Sequence, residues 1–404
     1  MSARSFSSIL LGILFFVCIT ACGSAETPTT ATLPTATISP PTEIPEPTSP
    51  PPTITQENPS PSPTMRHEPT PTPEPYVLPL SGFGPNFIGK RVYSFVDTSR
   101  DDRPVNITVW YPAIKPQGFE GTSMENAEPD LTGAPYPIIF SMTKNAGFFA
   151  PHLVTHGFAA VSVNKLDSNK QWDNNLIDQP LDILFALDQV ASTPLEGLQG
   201  VLDTEHAGAM GYSYDGYNAL AMSGVRVDPA FFLSQCADPE SEEANIFPYS
   251  AEVQCVLINQ WEAFAEHAGE GITTSKDGLW QPMTDERIRA VMPLAPDGWL
   301  LFGAQGLRAV DRPVLIIVGT NDKGTYEEDS LIYENLGTPD RFLISFVGKD
   351  HMMIYNPEMV DRMKHFAVAF FSTYLMGRQE YAEYFSEGFV SQYPDLRWGI
   401  SIEN

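Results

Sequence analysis

Basic side chains are scarce in this sequence. Lysine and arginine number 23 against 50 aspartates and glutamates, a formal net charge of −27 over 404 residues. Such a surface repels phosphate backbones and anionic headgroups, which argues against nucleic-acid binding and against electrostatic docking on a membrane. Cysteine is scarcer still, with four residues in all. Two of them, Cys18 and Cys22, fall in the first two dozen positions, which leaves Cys236 and Cys255 further on. That spacing matches no thiolate metal site. Long apolar runs are missing too, since the run from Ile9 to Thr20 is too short to span a bilayer comfortably. Phosphate-binding glycine loops, dinucleotide fingerprints and internal repeats do not occur, so the sequence calls for no cofactor and no metal.

What is present at the amino end is an export signal. Arg4, the apolar run and Ala21-Cys22-Gly23-Ser24 have the layout of a signal peptide over residues 1–25. Ile19-Thr20-Ala21-Cys22 also resembles a bacterial lipobox, in which Cys22 becomes the lipidated first residue of the mature chain; the alternative is plain secretion. From 26 to 75 the chain is almost entirely Pro, Thr, Ser and Glu. With few apolar side chains to bury, this stretch cannot offset the entropy of ordering and reads as a tether. Extended at ~3.1 Å per residue it reaches on the order of 150 Å. The expectation is an extracytoplasmic protein anchored to a membrane through lipid.

The folded domain is expected over 76–404. Arg91–Val96 and Val105–Tyr111 alternate in polarity around a turn-rich segment and predict an antiparallel hairpin. Short apolar runs then recur at Tyr136–Phe140, Phe158–Val163, Glu205–Met210, Ile288–Leu294, Val314–Val318 and Phe342–Val347. Helical patterns such as Leu181–Val190 and Val360–Leu375 lie between them. Apolar strands alternating with helices predict an α/β fold with a mostly parallel sheet covered on both faces.

Active residues gather at the carboxyl ends of strands in such sheets. The run GYSYDG places Ser213 at one such end, on a strand-to-helix turn. Asp322 ends a second strand, and His351 follows a third. A serine hydroxyl is a poor nucleophile near neutral pH, so it needs a base within reach and a carboxylate to fix the tautomer of that base. Ser, Asp, His is also the chain order of one known triad class. Asp350 is the rival acid, although it is adjacent to the base it would have to orient. His152 and His156 are four apart and could share a helix face, but they lack a third metal ligand. His67, His206, His267 and His365 read as structural.

Phe95-Val-Asp-Thr-Ser-Arg with Val109-Trp-Tyr-Pro-Ala, the Thr155-His-Gly-Phe turn, GYSYDG with Tyr217-Asn-Ala-Leu, Leu315-Ile-Ile-Val-Gly-Thr-Asn-Asp and Asp350-His351 carry a resemblance over nearly all of residues 80–376. Together they resemble the platelet-activating-factor acetylhydrolase and dienelactone-hydrolase-like branch of the α/β-hydrolases. The resemblance implies serine esterase chemistry on small or short-acyl esters, with Ser213, Asp322 and His351 as triad. Dienelactone hydrolases proper use cysteine, so Ser213 favours the acetylhydrolase side. The chain departs from the pattern twice. Asp215 stands where relatives carry glycine, and its charge opposes the potential that stabilises an oxyanion. After Ser141, where relatives read His-Gly, this chain reads Met142-Thr-Lys-Asn-Ala-Gly147. The backbone amides of Tyr214 and Lys144 are the expected oxyanion donors.

An insertion at 225–287 holds Cys236, Cys255 and Trp261 and is long enough for a helical cap. In an oxidising compartment the two cysteines are a possible disulfide, whose geometry sequence separation alone does not establish. Phe148, Phe149, Tyr212 and Tyr214 are expected to line an acyl pocket. The reading that emerges is an exported serine ester hydrolase with a small-molecule ester as substrate. Its rival is a non-catalytic binding or scaffold protein in which the two departures mark a decayed site.

Overall fold

A computed structural model describes residues 77–164, 172–237 and 248–400. The signal segment, Cys22, the tether and His67 lie outside the described residues. Ten strands form one sheet: β1 (Phe87–Asp97), β2 (Arg103–Ala113), β3 (Ser123–Glu125), β4 (Tyr136–Met142), β5 (Ala159–Val163), β6 (Leu202–Tyr212), β7 (Ile288–Leu294), β8 (Val314–Gly319), β9 (Arg341–Phe346) and β10 (Leu396–Trp398). Their order across the sheet is β10-β9-β8-β7-β6-β4-β5-β2-β1-β3. The six strands from β4 to β9 run parallel. The β1–β2 hairpin is antiparallel, as its alternating pattern predicts. β4, β5 and β8 are buried along their whole length, which is why they read as unbroken apolar runs.

Helices α1 (Thr143–Thr155), α2 (Asn175–Ser192) and α3 (Tyr214–Ala221) follow β4, β5 and β6. The insertion supplies α4 (Pro229–Ala237), α5 (Pro248–Gln254) and α6 (Trp261–Ala268). Next come α7 (Trp299–Leu307), α8 (Thr325–Asn335) and α9 (Pro357–Leu375). The long helix α9 buries Met363, Phe366, Phe370 and Phe371 against the sheet and packs beside α1. The architecture is a mixed α/β fold, with a large, mostly parallel sheet flanked by helices.

Two local features secure the frame. Asp97 at the end of β1 accepts from the Ser99 amide, the Ser99 hydroxyl and Arg100 Nε, while Arg100 and Arg103 reach Asp182 on α2 at 2.7 and 2.8 Å. The Asp-Thr-Ser-Arg run is thus a turn that ties the hairpin to a helix. In the insertion, Cys236 and Cys255 form a disulfide. Beside it, Trp261 packs against Phe232, Phe264 and Trp280, an aromatic group continuous with the main core. Among the described residues, no helix is long and apolar enough to cross a membrane.

Candidate active site

Ser213 follows β6 and caps α3 in a backbone conformation that side-chain-bearing residues avoid, φ 60° and ψ −127°. Its amide donates to Leu294 O of β7 at 2.9 Å, and its own carbonyl accepts from Tyr217 N to open α3. The turn is sharp because the chain must leave a strand and begin a helix within one residue, and this lifts the hydroxyl out of the sheet edge. Strain of this kind, of order ~1–3 kcal/mol, persists only where the surroundings over-determine it. One such constraint is Gly211: a Cβ there would collide with the carbonyl of Asp215, so the β6 end and the first turn of α3 are in backbone contact. The glycine expected at 215 is absent, and Asp215 is 2% exposed as the second residue of α3.

His351 occupies the centre of the site. Its Nε2 lies 2.9 Å from Ser213 Oγ, and its Nδ1 lies 2.7 Å from Asp322 Oδ2. The Asp322 carboxylate accepts, so Nδ1 carries the proton and Nε2 is left to accept from the serine hydroxyl. Asp322 is 4% exposed, whereas the imidazole keeps 38% of its side chain open.

The loops carrying the acid and the base are stitched together by backbone. Thr320 N donates to Phe346 O, Asn321 N to Lys349 O, and Gly348 N to Thr320 Oγ1. Gly319 brings these loops so close that a Cβ would strike the carbonyl of Lys349. Asp350 is exposed and spends Oδ1 on Met352 N at 2.9 Å, capping the short 3-10 turn that begins at His351. It positions the turn and leaves Nδ1 to Asp322.

Tyr212 supports the same turn from β6. Its hydroxyl donates to His351 O at 2.8 Å, and its ring lies 5.4 Å from the imidazole. Burial, aided by the carboxylates of Asp322, Asp329 and Asp350, pushes its phenol well up, so it stays a donor. Tyr214 is buried in the core and Phe149 belongs to the main core cluster, while Phe148 is only partly buried beside it. Segment 143–147, which carries the expected donor amide of Lys144, opens α1. Lys144 and Tyr214 therefore both stand in first turns of helices that begin at the carboxyl edges of β4 and β6, which are paired neighbours. First-turn amides lack intrahelical acceptors and point along the helix dipole, which suits a developing oxyanion.

A group of acids that sequence reading missed lies beside the base. Asp297 follows β7, and burial, reinforced by Glu328 and Asp322 and opposed by His351, pushes its carboxyl up to about 7. It keeps a partly accessible edge although protein surrounds it closely. Asp329 on α8 is fully buried; burial first, then Glu328, Asp297 and Asp322, hold it well above the usual carboxylate range. Neither of its oxygens has a hydrogen-bond partner. The one sequence signal for this group was the acidic loop after an apolar strand, shared by Asp297 and Asp322.

The other histidines among the described residues are structural. His365 Nδ1 accepts from Leu80 N, while His152 and His156 meet Leu80 O and Gly82 O, which pins the segment ahead of β1 across α1 and α9. His206 meets Asp203 and His267 meets Asp178. No group of three or more His, Cys, Asp or Glu among the described residues is arranged to hold a metal ion. A cavity of about 1010 Å³ opens at the opposite edge of the sheet, beside Tyr136, Asp203 and His206. It contains none of Ser213, Asp322 and His351.

No family model matches the chain, and no curated protein matches it. Among solved structures it is similar to a ferulic acid esterase from Streptomyces cinnamoneus, 15% identical, with a TM-score of 0.47 over 77% of this chain and 96% of that one.

Proposed function

We propose that this chain is an exported serine ester hydrolase acting on short-acyl esters through Ser213, His351 and Asp322. The observation that carries the reading is the single imidazole bonded on one side to a serine in an elbow conformation and on the other to a buried carboxylate. In the reaction, Ser213 Oγ attacks the ester carbonyl as its proton passes to His351 Nε2. The tetrahedral oxyanion is received by the amides of Tyr214 and Lys144. His351 then returns the proton to the leaving alcohol, giving an acyl-serine and free alcohol. Water, deprotonated by the same nitrogen, releases the acid and restores the hydroxyl. Asp322 holds the tautomer and stabilises the imidazolium throughout. The proposed branch remains the platelet-activating-factor acetylhydrolase and dienelactone-hydrolase-like one, on the motifs quoted above.

The test is a nitrophenyl ester series of increasing acyl length. Acetate and butyrate esters are expected to show higher kcat/KM than palmitate. A chain that hydrolyses none of them is not an esterase of this kind.

We place the enzyme on the extracytoplasmic face, held by lipid on Cys22 and carried outward by the proline and threonine tether. Buried methylenes supply ~0.8 kcal/mol each, so detergent should release the protein from membranes and high salt should not. Cys22→Ser should abolish partitioning and leave ester turnover unchanged. A mature terminus that mass spectrometry finds unmodified near Thr27 would make it a simply secreted protein.

A further inference from the structure

Residues 77–86 run as a strap over α1 and α9 before the chain enters β1, and histidines hold it there. Leu80 N donates to His365 Nδ1 at 3.0 Å, His152 Nε2 lies 2.9 Å from Leu80 O, and His156 Nε2 lies 2.9 Å from Gly82 O. Both backbone groups of Leu80 are thus bound by imidazole. Ser81 Oγ adds a bond to Asp361 O and Gly84 N one to Thr155 Oγ1, each at 2.9 Å, while Leu78 is buried in the core.

These bonds fix the protonation states. His365 accepts at Nδ1, which only a neutral ring can do, so its single proton sits on Nε2. A second proton would set N–H against N–H and leave the Leu80 amide unpaired. His152 and His156 face carbonyls and donate from Nε2, with their rings 4.6 Å apart, where two positive charges would repel.

We propose that this strap is an acid-opened clasp, closed over α1 and α9 while the three imidazoles are neutral and lifted when they take up protons, with the sheet still folded. Burial, joined by His156 and Lys364 and opposed by the Leu80 carbonyl and Asp361, holds His152 down to about 4. Burial likewise holds His365 down to about 3, opposed by the Tyr384 carbonyl and joined by Arg362 and His152, and it lowers His156. The acids nearby are already engaged: Asp361 pairs with Lys364 and Asp395 with Arg362, each at 2.9 Å. Tyr384 and Phe389 close the other side of the His365 ring, and the strap itself carries no titratable side chain.

Once the strap lifts, the nitrogens it covered meet water and titrate near the ordinary value of about 6.5. Above that value the open and closed forms bind the same protons, and pH has no effect. As pH falls from 6.5 toward 4, the open form takes protons that the closed form refuses, so each histidine raises the open fraction by up to about tenfold per unit. The strap follows directly on the segment read as a tether, so opening lengthens that link at its root.

The test is hydrogen exchange of the full chain, read by mass spectrometry at about pH 7 and about pH 5 and corrected for intrinsic exchange rates. Protection of the amides in 77–86 is expected to fall on the order of 500-fold when His152 and His365 are both released, about 20-fold for each. The amides of β8 should keep theirs. His365→Asn retains an acceptor near the place of Nδ1 and cannot take a proton; His152→Gln retains the donor at Nε2. Either change should weaken the fall by roughly tenfold or more, and His152→Gln carries the test alone if His365→Asn does not fold. Strap protection that does not move with pH would overturn the proposal, as would variants that keep the full dependence. Loss of β8 protection in step with the strap would also overturn it, because the whole domain would then be unfolding.

Discussion

Ser213→Ala is expected to lower kcat on a nitrophenyl acetate by about 10⁶, the scale seen when a triad nucleophile is removed. What remains would come from the oxyanion amides and from binding. Alanine tolerates φ 60° no better than serine, so the thermal midpoint should stay where it was. Ser213→Gly separates function from stability. It is equally inactive, but glycine occupies this backbone region without penalty, so the variant should be more stable than the parent by up to ~1–3 kcal/mol. Inactivity with gained stability in one substitution is the mark of a residue kept in strain for chemistry. Full turnover in Ser213→Ala would end the proposed mechanism.

The second large effect separates two acids. Asp322→Asn should lower kcat by about 10⁴, because an amide in place of the carboxylate allows the wrong imidazole tautomer and leaves the imidazolium without a counter-charge. KM should change little, since the loss is felt in the transition state. Asp350→Asn should be nearly silent: asparagine also accepts from Met352 N, and the cap on the 3-10 turn is retained. The opposite ranking would make Asp350 the acid and would require the turn at His351 to open.

The strands that position these residues were legible because they are buried on both faces. β4, β5 and β8 announce themselves as unbroken apolar runs, and the hairpin by its alternation. The three-residue strands β3 and β10 carry no such signal, being too short for any period to show. Ser213, Asp322 and His351 were legible because each follows an apolar run at a strand end. Their partners were less so. That Asp350 caps a turn depends on a backbone amide two residues on, which no side-chain pattern reveals. The acids at 328 and 329 were invisible for a deeper reason. Glu328 and Asp329 sit in the Glu-Glu-Asp run of α8, which reads as a solvated helix face, and its contact with Gln254 is 74 residues distant in sequence.

Covalent labelling tests the central claim most directly. The purified chain is treated with a fluorophosphonate, digested and mapped by mass spectrometry. A single adduct on Ser213, formed as pH rises through the range where His351 becomes neutral and absent in Ser213→Ala, is the predicted result. An unlabelled chain, or an adduct on any other serine, would contradict it, and an unlabelled one would leave a folded binding protein in its place.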